Sequence, residues 1–352
     1  IFFVLLFKKS AIASIILDYE TEIFVNNIIN EIKDINDINR DINFIILSDR
    51  KINAYVDHNN ILYLTSGLIE NCEDYVAFLS VIGHEIGHID KNHIKQRKIN
   101  NVKLKNINTL SNLSVIASSM ISNDPAILQG LAINSAGITQ NYVNFSKNQE
   151  TEADFYSLET LDKLNLYSNS IIKLLKTIEK KGLEKGFTKE QQKKSTHPYF
   201  EERINIINFL NENKGSRFDK KINEKFNFIQ AKFLGYSGNK DKINELKEPF
   251  KKYAKSILLA KDGNLKASLI ELNQLISQNK NNIYLVETKA DILFSYGYTN
   301  ESLEFYKKVK REIPSNNYAQ IKIFENTKFI NLTDSEKLTL FNENLNLLRI
   351  YY

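Results

Sequence analysis

His84-Glu85-Ile86-Gly87-His88 is the stretch whose residue types and spacing carry the most chemistry. Two histidines four residues apart on a helix lie one above the other, so they present two ring nitrogens to one point. Two imidazoles suit a zinc ion, and Glu85 can take a proton from a water that the ion activates and deliver it to a leaving amine. The implied reaction is hydrolysis of a peptide bond. A polar helix with two hydrogen-bonded histidines would show the same letters, so a third donor has to be found.

The run from Tyr75 to Ile94 repeats apolar residues at Tyr75, Phe78, Leu79, Ile82, Ile86 and Ile89, the period of a helix. Metzincins set their third ligand on a histidine six residues after the second, following a glycine turn; Ile94 and Lys91 occupy those places and exclude that class. His93 sits five residues beyond His88, and on a continuing helix it points elsewhere as a surface histidine.

In the remaining large zincin class the third ligand is a glutamate on a later helix, and Glu150-Thr151-Glu152-Ala153-Asp154 opens such a segment. Its apolar residues Phe155, Leu158, Leu161 and Leu164 set Glu150 and Asp154 on or beside the core-facing side. Burying two carboxylates is costly unless a dication and a ligand imidazole compensate them. Glu150 is therefore predicted to bind the metal and Asp154 to orient a ligand imidazole. Glu152, roughly 200° around from Glu150, is predicted to be solvated. An ordinary acidic helix start beside the N-terminal dipole is the alternative.

These motifs, with Ser195-Thr196-His197-Pro198, Arg203 and the upstream Ile52-Asn53-Ala54-Tyr55 and Tyr63-Leu64-Thr65-Ser66-Gly67-Leu68, resemble the ordered signature of the HtpX-like and Ste-type CAAX endopeptidase superfamily of gluzincins. Within it the chain looks closest to the BepA/YfgC-like peptidases with a tetratricopeptide tail. The resemblance is specific through residue 210 and then weakens to a repeat pattern. It implies one zinc ion held by His84, His88 and Glu150, with Glu85 as the base, in agreement with the reading of the residues themselves. It also implies a periplasmic protein active in outer-membrane protein assembly and quality control, whose repeats contact the assembly machinery.

His197 precedes Pro198, which biases it out of helical geometry while Pro198 opens the helix that carries Arg203. His197 either donates to the tetrahedral oxyanion or fills the open position of zinc and keeps the enzyme latent. Arg203 either balances Asp154 or steadies the oxyanion; a capping histidine and a surface arginine are the plain alternative.

The elements that must position these residues define an α+β fold. It is a mainly helical gluzincin metallopeptidase domain with a small β-sheet, followed by an all-α tetratricopeptide-type helical repeat domain. A helix over 16–33 is expected behind the catalytic core, and Phe44–Leu47, Ile52–Val56 and Ile61–Thr65 are expected to form the sheet, with His58 in a turn. Either Asn53–Val56 or Leu62–Thr65 is the expected edge that aligns a peptide by main-chain hydrogen bonds. Residues 111–146 carry one charge, Asp124, and are expected to form two packed helices around Asn123-Asp124-Pro125 with a lid over the cleft. Contact with a membrane surface is the alternative for that stretch. A polar loop is expected over 181–196.

The 352 residues divide, on composition, into a peptidase domain over 14–212, a linker over 213–224 and a repeat domain over 225–352. Gly263-Asn264 and Gly297-Tyr298 are 34 residues apart, and Ser268 with Ser302, Leu269 with Leu303, Leu275 with Val309 and Tyr284 with Tyr318 match at that offset. That is the tetratricopeptide period, and stacked helix pairs create a concave surface for a partner. Further degenerate helices are expected over Phe226–Leu234 and Ser335–Tyr352. Residues 1–13 read as the remnant of a secretory signal with Ala11-Ile12-Ala13 as its cleavage site.

The net charge of +5 is spread rather than gathered into a basic stripe, which argues against nucleic acid. No apolar run reaches the length of a membrane-spanning helix. The single cysteine, Cys72, excludes an intrachain disulfide and reads as a buried apolar residue. The function these features favour is a zinc endopeptidase acting on unfolded or misassembled proteins. A chaperone-like adaptor that binds partners through its repeats competes with it, but such a module needs no base beside two ligands. A metal-dependent hydrolase of another substrate is the third reading.

Overall fold

The computed structural model describes residues 15–57, 59–93, 136–184, 186, 188, 200–210 and 217–327. His58, the expected lid region through residue 135, His197 and the helix expected over 335–352 lie outside the described residues. The chain divides into two compact units: Ile28–Asp219 belong to the first, and Ile16–Asn27 with the residues from Lys220 onward belong to the second.

The first unit is built around one helix. Helix α1, Tyr19–Ile35, enters it with its second half, and strands β1 (Phe44–Leu47), β2 (Ala54–Val56) and β3 (Leu62–Thr65) follow. The sheet order is β1-β3-β2, with β1 parallel and β2 antiparallel to β3. Both sides of β3 are thus paired, which removes Leu62–Thr65 as a substrate edge; of the two strands considered for that role, β2 lies at an edge of the sheet, opposite β1.

The return from β3 into the short helix α2, Ser66–Asn71, is held by backbone contact. Gly67 N–H donates to the Asp49 carbonyl at 2.8 Å, and a Cβ at Gly67 would stand 2.3 Å from the Lys51 carbonyl oxygen. Only glycine tolerates so close an approach.

Helix α3, Tyr75–Asp90, starts where the Asp74 carboxylate accepts from Ala77 N–H at 2.9 Å, an N-cap that satisfies one orphan donor. From Tyr75 to Ile89 every residue except Val81 is buried, so this helix is surrounded rather than amphipathic at a surface. It packs on β2, on the 28-residue helix α4 (Ala136–Lys163) and on α5 (Asn169–Glu184). Helix α6, Phe200–Leu210, packs against α4 and α5.

The approach of α3 to α4 depends on small residues. Ser157 Oγ donates to the Ser80 carbonyl at 2.7 Å, while a Cβ on Gly87 would lie 3.1 Å from Cβ of Tyr156. The two polar faces that carry the histidines and the carboxylates are brought together by this close contact.

The second unit is helical. Its described helices from Lys220 onward are α7 (Lys220–Ser237), α8 (Lys240–Glu245), α9 (Phe250–Lys261), α10 (Leu265–Gln278), α11 (Tyr284–Ser295), α12 (Thr299–Glu312) and α13 (Asn317–Thr327). Helix α7 thus begins inside the stretch expected as a linker. Sequential helices pair, α9 with α10 and α11 with α12, around a core of Leu272, Leu275, Leu285 and Ile257. Gly263 and Gly297, in the turns that precede α10 and α12, have φ of 88° and 81°, the left-handed region where glycine meets no steric penalty. The 34-residue offset is visible in burial: Ser268 and Ser302 are both fully buried, as are Leu275 and Val309. Lys232 is buried in this unit and pairs with Asp18 at 2.8 Å and Glu20 at 2.7 Å, carboxylates at the start of α1.

Candidate metal centre

Helix α3 supplies His84 and His88 one turn apart, and α4 supplies Glu150 against them; all three are buried. His84 Nε2 lies 3.1 Å from Glu150 Oε2 and 3.1 Å from His88 Nε2, and His88 Nε2 lies 3.4 Å from Glu150 Oε1. Donors at about 2.0–2.1 Å around a tetrahedral zinc ion stand roughly 3.3–3.4 Å apart, so the spacing of these three fits that ion. Two imidazole nitrogens and a carboxylate are also the donor types that zinc takes. Glu85, beside the first histidine, is buried as well.

The rear of His84 is held by a charged assembly. His84 Nδ1 donates to Asp154 Oδ1 at 2.9 Å, and Arg203, from α6, forks the same carboxylate with Nε at 2.7 Å and Nη2 at 2.6 Å. Burial raises the Asp154 carboxyl, but Arg203 and His84 outweigh it and hold the acid down at about 2. Burial likewise opposes a charged His84, yet its hydrogen bonds to Asp154 and Glu150 raise it to about 9. His88 is lowered instead, chiefly by burial, with Glu150 opposing. The carboxylates of Glu150 and Asp154 thus favour positive charge at His84, as two nearby anions do.

Of the residues read from the sequence as a site, the fold brings His84, Glu85, His88, Glu150, Asp154 and Arg203 to one place, while His197 lies outside the described residues. Arg203 touches Asp154 and is mostly buried, with 14% of its side chain exposed.

His93 departs from expectation. It is fully buried, and its Nδ1 stands 2.9 Å from His88 Nδ1 while its Nε2 stands 2.9 Å from Glu152 Oε2. The reason is that α3 does not continue: Lys91 N–H closes on the Gly87 carbonyl at 3.0 Å, Asn92 takes φ of 55°, and the chain folds His93 back beneath His88. Asparagine is among the few residues that enter this region readily, so Asn92 was the available sign that the helix ends there. Glu152 is 60% exposed, as expected of a solvated residue, but its carboxylate also reaches inward to His93.

Comparison with known proteins agrees with this geometry. A beta-barrel assembly-enhancing protease of Vibrio cholerae serotype O1 (strain ATCC 39315 / El Tor Inaba N16961) is 27% identical over 139 residues, which are 39% of this chain and 28% of that protein. A beta-barrel assembly-enhancing protease of Yersinia pestis is 24% identical over 157 residues, 44% of this chain and 32% of that protein. The matched stretches therefore span about a third or less of these relatives' own length. The profile of Peptidase family M48 matches residues 25–210, more than half of the chain and the whole of the site just described. The chain belongs to peptidase family M48, a family of metal-dependent peptide hydrolases.

Proposed function

We propose that the protein is a zinc endopeptidase that cleaves unfolded or misassembled protein chains. The observation that carries this reading is the convergence of His84, His88 and Glu150 at metal-ligand spacing beside a buried glutamate, Glu85. These three residues would hold the ion, which when bound supplies a Lewis acid for the scissile carbonyl and lowers the pKa of water. Glu85 takes the proton from the attacking water and passes it to the departing amine nitrogen. Asp154, gripped by Arg203, keeps His84 turned with Nε2 toward Glu150. Strand β2 offers its unpaired side to an extended substrate backbone, the mode in which main-chain hydrogen bonds give affinity without demanding a sequence.

The paired helices of the second unit are read as tetratricopeptide-type repeats that recruit a partner or substrate, which the 34-residue register supports. Work on envelope proteins in the periplasm is part of this reading; the names of the relatives, which describe enhancement of β-barrel assembly, support a part in such assembly.

Cleavage of casein by the zinc-loaded chain tests the central claim. Wild type is expected to cleave, and Glu85→Gln is expected to retain zinc while losing about 10²–10⁴-fold in rate. Equal cleavage by both would overturn the assignment of Glu85, and an absence of bound zinc in both would overturn the metal site. Replacement of His197 by Ala separates its two roles, since activity rises if the side chain blocks the site and falls if it is a donor.

A further inference from the structure

His88 is backed by two residues that take no part in the reading above, His93 and Glu152. They form a chain of hydrogen bonds running from the surface to the centre, Glu152 Oε2 to His93 Nε2 at 2.9 Å and His93 Nδ1 to His88 Nδ1 at 2.9 Å. Contact between two Nδ1 atoms at this distance requires one of them to carry the hydrogen and the other to be bare.

The direction of the chain follows from its ends. An ionised carboxylate only accepts, so a neutral His93 places its hydrogen on Nε2 toward Glu152 and leaves Nδ1 as an acceptor. His88 must then donate from Nδ1, and its remaining nitrogen, Nε2, carries no hydrogen and acts as an acceptor. That nitrogen is the one that faces His84 Nε2 and Glu150. Selection of one tautomer and one ring orientation by a partner on the far nitrogen is the means by which proteins prepare imidazole for a metal.

The backbone holds this chain in place. Asn92 turns the polypeptide at φ of 55°, and Gln149, the neighbour of Glu150 on α4, donates from Nε2 to the His93 carbonyl at 3.1 Å. His93 is fully buried, so ring rotation is hindered by packing as well.

We infer that His93, backed by Glu152, is a positioning residue that fixes His88 in the Nδ1-protonated tautomer and thereby sets the affinity of the site for its metal. The two histidines of α3 are then served differently: His84 by an anion clamped by Arg203, His88 by a second imidazole that links it to a carboxylate at the surface. The inference rests on the metal-site reading, and its test has to separate the two.

Zinc affinity of the full chain, measured by competition with a chromogenic chelator, is the readout. His93→Leu is expected to weaken zinc about 10–100-fold, the range for loss of a partner behind a ligand. His93→Asn, whose Oδ1 stands where Nδ1 stood and still accepts from His88, is expected to recover most of that loss. A merely structural histidine would not discriminate in this way. Glu152→Leu, at an exposed position that leaves the core intact, is expected to weaken zinc in the same direction by less and carries the test should His93→Leu not fold. His88→Ala is the control for the site itself. Zinc affinity unchanged in His93→Leu or, where that variant does not fold, in Glu152→Leu, with tight binding abolished in His88→Ala, would overturn the inference and leave the metal site standing. Wild-type affinity in His88→Ala would overturn both.

Discussion

Each imidazole of the centre has a partner on its far nitrogen, and those partners differ in what their loss should cost. Arg203→Ala leaves the Asp154 carboxylate buried against His84 without its fork, and about 3–5 kcal/mol of stability is expected to be lost, read from urea unfolding of the intact chain. Arg203→Lys keeps the charge but not the two parallel donors, so recovery should be partial. Asp154→Asn is expected to weaken zinc binding about 10–100-fold, because the His84 ring loses its charged acceptor. At this scale much was readable in the sequence: the helical periods of α3 and α4 bring His84, His88, Glu150 and Asp154 to matching faces. The period failed at His93 because it describes a helix only while the helix lasts, and Asn92 ends it.

Among the elements, the pair α3 and α4 sets the spacing of the site, and two glycines on one helix should respond to the same substitution in different ways. A Cβ at Gly83 would meet its nearest neighbour, Ser157 Oγ, at 3.5 Å, an ordinary contact, so Gly83→Ala is expected to be neutral or to gain up to about 1 kcal/mol from helix propensity. At Gly87 the neighbours are Cβ, Cγ and Cδ1 of Tyr156 at 3.1–3.2 Å, which side-chain rotation cannot fully withdraw. Gly87→Ala is expected to cost about 1–3 kcal/mol and to reduce zinc affinity, since α4 carries Glu150 away from the histidines as it yields. Thermal unfolding with and without zinc separates the two effects. The strands themselves were apparent from their β-rich runs, whereas their order was not. Alternation tells which face of Leu62–Thr65 is buried but not that β1 and β2 flank it on both sides.

For the molecule as a whole, the second unit holds an acidic interior that ties its stability to pH. Burial raises Glu287 to about 8, against the pull of Lys232 and with Asp291 and Asp18 adding to the rise, and Asn316 donates to it at 2.6 Å. Asp291 is raised to about 6 by burial, although Tyr306 and Tyr318 both donate to it. Both acids bind protons more tightly folded than unfolded, so the stability they contribute is full below their unfolded values and is lost as pH climbs through about 6 and then about 8. Protection of α11 and α12 from hydrogen exchange, corrected for the intrinsic rate, is therefore expected to fall between about pH 5 and 8.5. Glu287→Gln is expected to flatten that fall. The repeat register was visible as matched residues, but these acids were not, because a sequence does not state which carboxylate the stacking of helices will enclose. The same interior has a consequence for how the protein is made. Asp18 and Lys232 are joined across 214 positions, so the first part of the second unit emerges from the ribosome long before its counter-ion exists. Synthesis of the entire catalytic portion has to intervene, and a nascent chain stopped within it would display Asp18 and Glu20 to whatever chaperone stands at the exit tunnel.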